Sequence, residues 1–274
     1  MKKRKRYLNI TKEVFAWVLS LVILVPFLMV LLNSVKSVTE AATMSLALPT
    51  EIKFSNYVEV LKDKRIYTSF FNSLFLSTAA SLITLIVSSM AAFVISRNRS
   101  RFNMVIYSIF LLGLVAPMNY VTTMKVMQIL NIINTYTGVY LLYSAIFIPF
   151  TVFLYFGFIG SIPKELDEAA VIDGCKGGGL FYKIIFPLLK PVTVTAVIIN
   201  FLNCWNDFVI PLYFLNSSGK WGMIMVMYNY FSTYISSWNL VSAAMILNLL
   251  PIIIVYAIGQ KYIISGMTAG AVKG

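Results

Sequence analysis

Six long apolar segments alternate with polar connections along the chain, and each is long enough to cross a bilayer. A membrane span needs about 20 apolar residues, and its backbone amides need hydrogen-bond partners within the same helix. The pattern therefore predicts an all-α, polytopic membrane protein with about six transmembrane helices. These predicted spans cover residues 14–32, 70–95, 102–121, 138–158, 192–215 and 238–258.

A seventh apolar stretch, residues 221–235, is aromatic but too short to span comfortably. We expect a re-entrant or interfacial element on the outer side, near the aromatic belt. If this stretch crossed the membrane, the C-terminus would lie outside, and Lys261 and Lys273 argue weakly against that.

Composition supports the membrane assignment and removes several chemistries. Hydrophobic residues make up 59% of the chain and charged residues 12%, at a mean hydropathy of +0.83. Ordinary soluble domains carry about 25% charged residues. The absence of histidine excludes Ser-His and Cys-His pairs and histidine metal sites, and two cysteines are too few for a structural zinc. We therefore expect no catalytic residues and no metal in this chain.

The distribution of basic residues predicts the topology. With the N-terminus inside, cytoplasmic segments carry 15 Lys and Arg residues and outer segments carry seven. Since cytoplasmic loops are enriched in these residues, both termini are expected in the cytoplasm of a multi-pass protein of the cell membrane. The net charge of +12 then reflects topology rather than nucleic-acid binding. The resulting organisation is a basic N-terminus (1–13), a transmembrane domain (14–258) with an outer loop (33–69) and a cytoplasmic loop (161–191), and a cytoplasmic tail (259–274).

The cytoplasmic loop has the signals of a short helix. Pro163 suits a first helical turn, acidic residues follow it, and Gly174 is a typical end signal, which predicts a helix over residues 163–173. Its small and apolar residues form a side that packs either on the chain's own spans or on another protein, and the residues alone leave both open. A second short helix is predicted over 180–186, stopped by Pro187 and Pro191.

This loop resembles the EAA loop of the membrane subunits of binding-protein-dependent ABC importers. That pattern is Glu-Ala-Ala, three residues, Gly, nine residues, Ile, one residue, Leu and Pro. The matching positions here are Glu168, Ala169, Ala170, Gly174, Ile184 and Pro187, with Phe186 in place of the usual Leu. Residues 205–208, 211–212 and 266–274 are similar to the smaller permease of maltose-type importers, in the carbohydrate-uptake branch.

The resemblance implies a type I ABC importer permease fold with a cytoplasmic coupling helix. It implies a second permease subunit, two ATPase subunits that carry ATP and Mg, and an extracytoplasmic sugar-binding protein. This chain has no P-loop of its own, because Gly219-Lys220 is followed by Trp221. The ATPase interface is then expected at Glu168, Ala169, Ala170, Asp173, Gly174, Ile184 and Pro187.

Polar residues in the fifth predicted span mark a possible translocation path. Asn200, Asn203 and Asp207 fall on one helical face, with Asn206 adjacent. Amides and a carboxylate match sugar hydroxyls, whereas the alternative is that they join helices or cap them. In the second span, a stripe of small polar residues favours close helix packing; it comprises Ser73, Ser77, Ser81, Thr84 and Ser88.

The short outer loop after the fifth span is the expected contact for the binding protein. This expectation carries over a position from maltose-type permeases and rests on no motif of its own. The residues concerned are Ser217, Ser218, Gly219, Lys220 and Trp221.

Two other classes of protein compete with the importer subunit. An ion-gradient-driven secondary transporter or channel usually shows intramembrane acids, histidine relays or repeated broken helices, and this chain offers one Asp and no visible repeat. An intramembrane enzyme needs a nucleophile–base pair or a metal cluster, and this chain offers neither. Co-purification with an ATPase subunit would distinguish the first class from both.

Overall fold

The computed structural model describes residues 2–233 and 237–271, and every regular element in these ranges is helical. The α-helices are α1 (Lys2–Asn33), α2 (Val38–Ala41), α3 (Ser55–Lys62), α4 (Lys64–Arg97), α5 (Arg101–Val115), α6 (Tyr120–Ile129), α7 (Tyr136–Ile159), α8 (Glu165–Ile172), α9 (Phe186–Leu188), α10 (Lys190–Asn206), α11 (Val209–Phe214), α12 (Met223–Thr233) and α13 (Trp238–Ala271). A π-helical segment (Leu180–Ile185) precedes α9, and a 3-10 turn (Ser218–Lys220) precedes α12.

Within the described residues, four helices are long and apolar enough to cross a membrane, or up to six if each of two bent helix pairs is one span. The four lie at Thr11–Asn33, Lys64–Arg97, Tyr136–Ile159 and Trp238–Lys261. The prediction of an all-α protein with about six spans is therefore confirmed.

The third predicted span is wrong as a single straight helix. Helix α5 ends at Val115, α6 begins at Tyr120, and the two axes differ by 120°. The cause is Pro117, which disfavours the helical region for the residue before it. Ala116 accordingly takes an extended backbone, with ψ at 119°.

The fifth predicted span, residues 192–215, is broken as well. Helix α10 ends at Asn206, Asp207 is extended with ψ at 126°, and the six-residue α11 follows. At the other end, Pro187 and Pro191 lie within the first turns of α9 and α10 rather than ending a helix. Proline is tolerated there because the amide it lacks would have no partner in a first turn.

Clustering of contacts divides the chain into two units. The first comprises residues 1–67 and 226–250, and the second comprises 68–225 and 251–274. In the first, the Asn56 amide donates to the carbonyls of Ser34 and Lys36, both at 2.9 Å, and accepts from Asn239 at 2.9 Å. This buried network fixes the start of the loop 33–69 against α3 and α13.

In the second unit, α7 packs between α4, α5 and α10. Tyr107 of α5 stacks on Phe156 of α7 at 4.0 Å between ring centroids. The Ser144 hydroxyl of α7 donates to the carbonyl of Ala80 of α4 at 3.2 Å. Tyr155 of α7 donates to the hydroxyl of Thr193 of α10 at 2.9 Å. Hydrogen bonds therefore supplement apolar packing between these helices, as is common in membrane bundles.

The small polar stripe of α4 is buried, as expected for helix packing. Small side chains allow neighbouring helices to approach closely. Exposure is 5% or less at all five of its members, which are Ser73, Ser77, Ser81, Thr84 and Ser88.

The apolar stretch 221–235 forms α12, which is 11 residues long and therefore too short to cross a bilayer. Residues 234–236 lie outside the described part of the chain.

The helix that begins at Trp238 continues to Ala271, and α1 begins at Lys2, so both predicted terminal segments are largely continuations of span helices. The last residues, 272–274, are outside the described part.

Candidate functional site

The connection between α7 and α10 contains a short helix, α8, most of whose residues are exposed. The structure has this helix at Glu165–Ile172, slightly shorter than the predicted 163–173. Three acidic residues lie in its first turn, where the helix dipole favours negative charge. Gly174 follows with a φ of +84°, a left-handed conformation that glycine adopts without strain.

Most of the predicted ATPase-interface residues are exposed on this connection. The exposed ones are Glu168, Ala169, Asp173, Gly174 and Pro187. Ala170 is 6% exposed and Ile184 is half-buried, so these two pack on the chain's own residues. Ile172 belongs to the apolar side that the sequence predicts for this helix, and it is 85% exposed. The sequence left open whether that side packs on the chain's own spans or on another protein, and Ile172 is not covered by this chain.

The second half of the connection is anchored. Phe181 and Ile185 of the π-helical segment are buried in an apolar cluster with Val152, Tyr155 and Ile159 of α7. Burial of such side chains stabilises this arm by about 1.5–3 kcal/mol each. The connection is therefore fixed to α7 at its second arm, while α8 presents most of its surface outward.

An ion pair joins α8 to the end of α4, and no sequence pattern predicts it. Arg97 Nε lies 2.7 Å from Asp167 Oδ2, and Arg97 Nη2 donates to Asp167 Oδ1 at 3.2 Å. The two residues are 70 positions apart, and no local pattern connects them.

A cavity of about 490 Å³ opens at the break between α10 and α11. Its volume is typical of small-molecule sites. Three of the four predicted path residues, Asn203, Asn206 and Asp207, line it. Aromatic and apolar residues supply the rest of the wall: Met118, Tyr120, Tyr143, Ile146, Phe147, Leu202, Val209 and Ile210.

Asp207 both lines the cavity and holds the broken helix. Its Oδ1 accepts from the Val209 amide at 2.9 Å and its Oδ2 from the Ile210 amide at 3.3 Å, so it satisfies the first amides of α11. The Tyr143 hydroxyl of α7 donates to Oδ2 at 3.0 Å. The sequence left capping and path-lining as alternatives for Asp207; in the structure it caps α11 and also lines the cavity.

Asn200 is separated from the other three amide and acid residues. It is 1% exposed, does not line the cavity, and its amide donates to the Thr151 hydroxyl of α7 at 3.1 Å. It shares a helical face with Asn203, as the spacing predicts, but α7 covers that face at Asn200. Asn203 is exposed, and its side chain makes no hydrogen bond within the described residues.

The predicted binding-protein loop is firmly held at one end. Asn72 of α4 donates to the carbonyls of Gly219 and Trp221, both at 3.0 Å. Lys220 Nζ donates to the Asn134 carbonyl at 2.5 Å, and the Trp221 indole donates to the Leu215 carbonyl at 2.7 Å. These bonds hold Lys220 and Trp221 half-buried. Ser217, Ser218 and Gly219 remain exposed at the tip.

In the loop 33–69, a carboxylate closes a turn. Glu40 accepts hydrogen bonds from the Thr50 hydroxyl at 2.6 Å and amide at 3.1 Å, and from the Ser37 hydroxyl at 2.8 Å and amide at 3.1 Å. The bonds from Thr50, then those from Ser37, lower the pKa of Glu40 to about 2.

Within the described residues, no group of three or more acidic or cysteine side chains could hold a metal ion.

Membrane-length helices with polar residues at a broken helix define an integral membrane transport protein. The chain belongs to the family described as "Binding-protein-dependent transport system inner membrane component", which matches residues 85–269. It is therefore a permease component of ABC importers and is not an enzyme, as expected. It is an inner-membrane component.

Named relatives match along nearly the whole chain. The multiple sugar-binding transport system permease protein MsmG of Streptococcus mutans is 37% identical, covering 100% of both chains. The probable starch degradation products transport system permease protein AmyC of Thermoanaerobacterium thermosulfurigenes is 33% identical over 93% of this chain and 94% of its own. The melibiose/raffinose/stachyose import permease protein MelC of Bacillus subtilis is 32% identical over 91% of both.

Solved structures share the fold. A chain of a bacterial ABC transporter that imports the acidic polysaccharide alginate matches with a TM-score of 0.83 and 23% identity, over 94% of this chain and 96% of that one. A second match, from an alginate transporter in complex with a pentasaccharide-bound periplasmic protein, has a TM-score of 0.59 and 16% identity, covering 76% and 81%.

Proposed function

We propose that this chain is one of two different permease subunits of an ATP-driven importer of sugars or oligosaccharides, and that it forms half of the translocation path. The observation that carries the proposal is α8, which is exposed between two membrane-length segments and bears the Glu168-Ala169-Ala170 and Gly174 spacing. Relatives named for sugar and oligosaccharide transport, at 32–37% identity over almost the whole chain, support a sugar as the transported substrate.

Energy for transport comes from two partner ATPase subunits that carry ATP and Mg. Three apolar side chains of α8 are exposed to a degree that favours burial by a partner protein. They are Leu166, Val171 and Ile172, which are 43%, 58% and 85% exposed. A groove on the ATPase would bury them, with Glu168, Ala169 and Gly174 at the same surface. Closure of the ATPase dimer then moves α8, and α8 moves the spans as a rigid body.

The basic residues support a cytoplasmic position for this connection. Lys164, Lys176, Lys183 and Lys190 lie in it, and the N-terminal segment carries six more Lys and Arg residues. Both termini and α8 are therefore assigned to the cytoplasm. The loops 33–69 and 216–221 are assigned to the outer side.

The translocation path is assigned to the cavity at the α10–α11 break. Exposed amides of Asn203 and Asn206 and the carboxylate of Asp207 offer donors and acceptors to sugar hydroxyls, and Tyr120 and Phe147 offer ring faces. Asn200 is assigned to helix packing instead, since it bonds Thr151. At the outer end, Ser217 to Gly219 are the residues that would reach the docked sugar-binding protein.

Reconstitution tests the proposal. The complete transporter is purified through this chain, placed in proteoliposomes, and assayed for ATP hydrolysis and uptake with its binding protein and a panel of neutral and acidic oligosaccharides. We expect two ATPase subunits and a second permease to co-purify, and hydrolysis to rise with one class of loaded binding protein. Uptake by the purified chain alone, driven by an ion gradient, would instead support the secondary transporter. If the complex hydrolyses ATP but no saccharide stimulates hydrolysis or is taken up, the assignment of a sugar substrate is rejected.

A further inference from the structure

The end of α4 carries an arginine that contacts three separate segments. Arg97 is the last residue of α4. Its Nη2 donates to Asp167 Oδ1 in the first turn of α8 at 3.2 Å, and its Nε lies 2.7 Å from Asp167 Oδ2 as an ion pair without a hydrogen bond. Its Nη1 donates to the carbonyls of Ile162 at 3.1 Å and Ile159 at 3.4 Å, where α7 ends. One side chain therefore links α4, the end of α7 and α8.

The chemistry at each contact favours an arginine. The final carbonyls of a helix lack intrahelical partners and carry partial negative charge, so a cation beside Ile159 is stabilising. A planar guanidinium also presents several donors in a fixed arrangement, so Arg97 bonds Asp167 and two carbonyls at once, whereas the ammonium of lysine acts as a point charge. Side-chain exposure is 13% for Arg97 and 17% for Asp167, so water screens the pair only partly.

The other attachments of α8 are its contacts with the π-helical segment, which is anchored to α7. Ala170 is the only buried residue of α8, and an eight-residue helix is not stable by itself in water. The segment before it, Ser161–Lys164, has no regular structure that could transmit force. Without Arg97, a push on α8 would reach the spans only through the second arm of the connection, which is anchored to α7, and would have no direct link to α4.

We infer that Arg97 is a positioning residue that makes α8, α4 and α7 move together, so that nucleotide-driven movement of α8 reaches the spans. This inference rests on the proposed function. It adds a specific mechanical connection, the Arg97–Asp167 ion pair with its two carbonyl bonds, to a coupling scheme that needs only α8. The ion pair thus acts in coupling, and docking of the ATPase is left to the exposed side of α8.

The test uses the complete reconstituted transporter with the variants R97Q, R97K, D167N and R97Q/D167N. We expect normal assembly with the ATPase subunits and normal basal hydrolysis. Stimulation by loaded binding protein and uptake should each fall about tenfold in R97Q and D167N. The double variant should be no worse than either single one, because both remove the same link. R97K should be intermediate, since it keeps the charge but loses the planar set of donors that bonds Asp167 and the two carbonyls.

A matched control removes another ion pair of the same composition. Arg65 Nη2 lies 2.8 Å from Asp63 Oδ2 in the loop 33–69, and Arg65 is 57% exposed. The variants R65Q and D63N should leave stimulation and uptake unchanged. Hydrogen–deuterium exchange provides an independent measurement: amides of α8 should exchange faster in R97Q, while those of α7 before Ile159 should not.

Either of two results would overturn the inference. One is full stimulation and uptake in R97Q in a complex whose wild type is coupled, which rejects the connection and leaves the proposed function intact. The other is loss of assembly in step with uptake in R97Q and R97K alike, which assigns the pair to folding or docking. A wild-type complex without any ATPase subunit would reject the proposed function itself.

Discussion

Tyr143 of α7 donates a hydrogen bond to Asp207 at 3.0 Å, at the point where the fifth predicted span breaks. The same carboxylate accepts the first amides of α11. The break is therefore stabilised by side chains, and a non-helical backbone at this position is tolerated because its polar groups are satisfied within the protein. The bond also fixes the carboxylate at the wall of the cavity.

Replacing Asp207 should separate its two roles. Asp207→Ala removes the acceptor for two amides and a hydroxyl, and should lower stability by about 1 kcal/mol, as loss of a helix cap does. Asp207→Asn keeps one oxygen acceptor, removes the charge from the cavity, and should reduce uptake with a smaller change in melting temperature. Glu51→Gln, an exposed acid of the loop 33–69, is the control. Equal uptake in Asp207→Asn and wild type would leave Asp207 a purely structural residue.

Asn200 and Asn203 should respond differently to alanine, although they lie one turn apart. Asn200→Ala breaks the buried bond to Thr151 and should destabilise the chain by about 1 kcal/mol. Asn203→Ala removes an exposed amide with no hydrogen bond in the described structure, so melting should be unchanged while uptake falls. Melting curves and uptake on the same preparations test this. A stability loss in Asn203→Ala, or normal uptake, would contradict the path assignment.

Gly174 should be sensitive to substitution for two distinguishable reasons. Its φ of +84° should cost alanine about 1 kcal/mol, and its Cβ position is open space in this chain. Gly174→Asn tolerates the backbone conformation but adds bulk toward the proposed ATPase surface. We expect it to fold normally and to lose substrate-stimulated ATP hydrolysis.

Gly179 is the matched control for this prediction. It has an ordinary φ of −60° and equally open space at its Cβ position. Gly179→Asn should keep both stability and stimulation. If the two asparagine variants behave alike, Gly174 has no special place at the interface.

The loop 216–221 should contact the binding protein through its tip only. Cysteine at Ser217 or Ser218 should cross-link to loaded binding protein, because these residues are exposed. Cysteine at Lys220 should cross-link poorly and should loosen the loop, since its ammonium bonds the Asn134 carbonyl at 2.5 Å. Mass spectrometry of cross-linked vesicles is the readout, and preferential capture at Lys220 would reverse this assignment.

Acid should loosen the turn closed by Glu40. Its pKa is about 2 in the folded chain and 4.5 without these bonds, so its contribution is complete above pH 4.5 and is lost as the pH falls toward 2. Glu40→Gln should remove part of the drop in melting temperature between pH 6 and pH 3. Glu59→Gln, an exposed acid of the same loop without a hydrogen bond in the described structure, should keep the full drop. Identical curves for Glu40→Gln and wild type would contradict the role of this carboxylate.

Helix type and approximate span position followed from local pattern, because apolar length and backbone satisfaction in a bilayer admit few alternatives. The bends did not follow as readily. Pro117 divides the third span, but proline alone is ambiguous, since α1, α7 and α13 continue through Pro26, Pro149 and Pro251. Whether a proline bends a helix depends on neighbouring segments that satisfy the freed carbonyl groups.

The sequence by itself determined the class of protein, the six apolar segments and the position of the α8 connection, because these depend on hydrophobic length, glycine and proline placement, and a local spacing. Only the tertiary structure decided that Asn200 faces α7 while Asn203 faces a cavity, and that Arg97 meets Asp167. The first depends on a contact between Asn200 and Thr151, 49 positions apart, and the second on a contact between residues 70 positions apart. Such contacts arise from the packing of whole helices, so no periodicity or spacing within one segment records them.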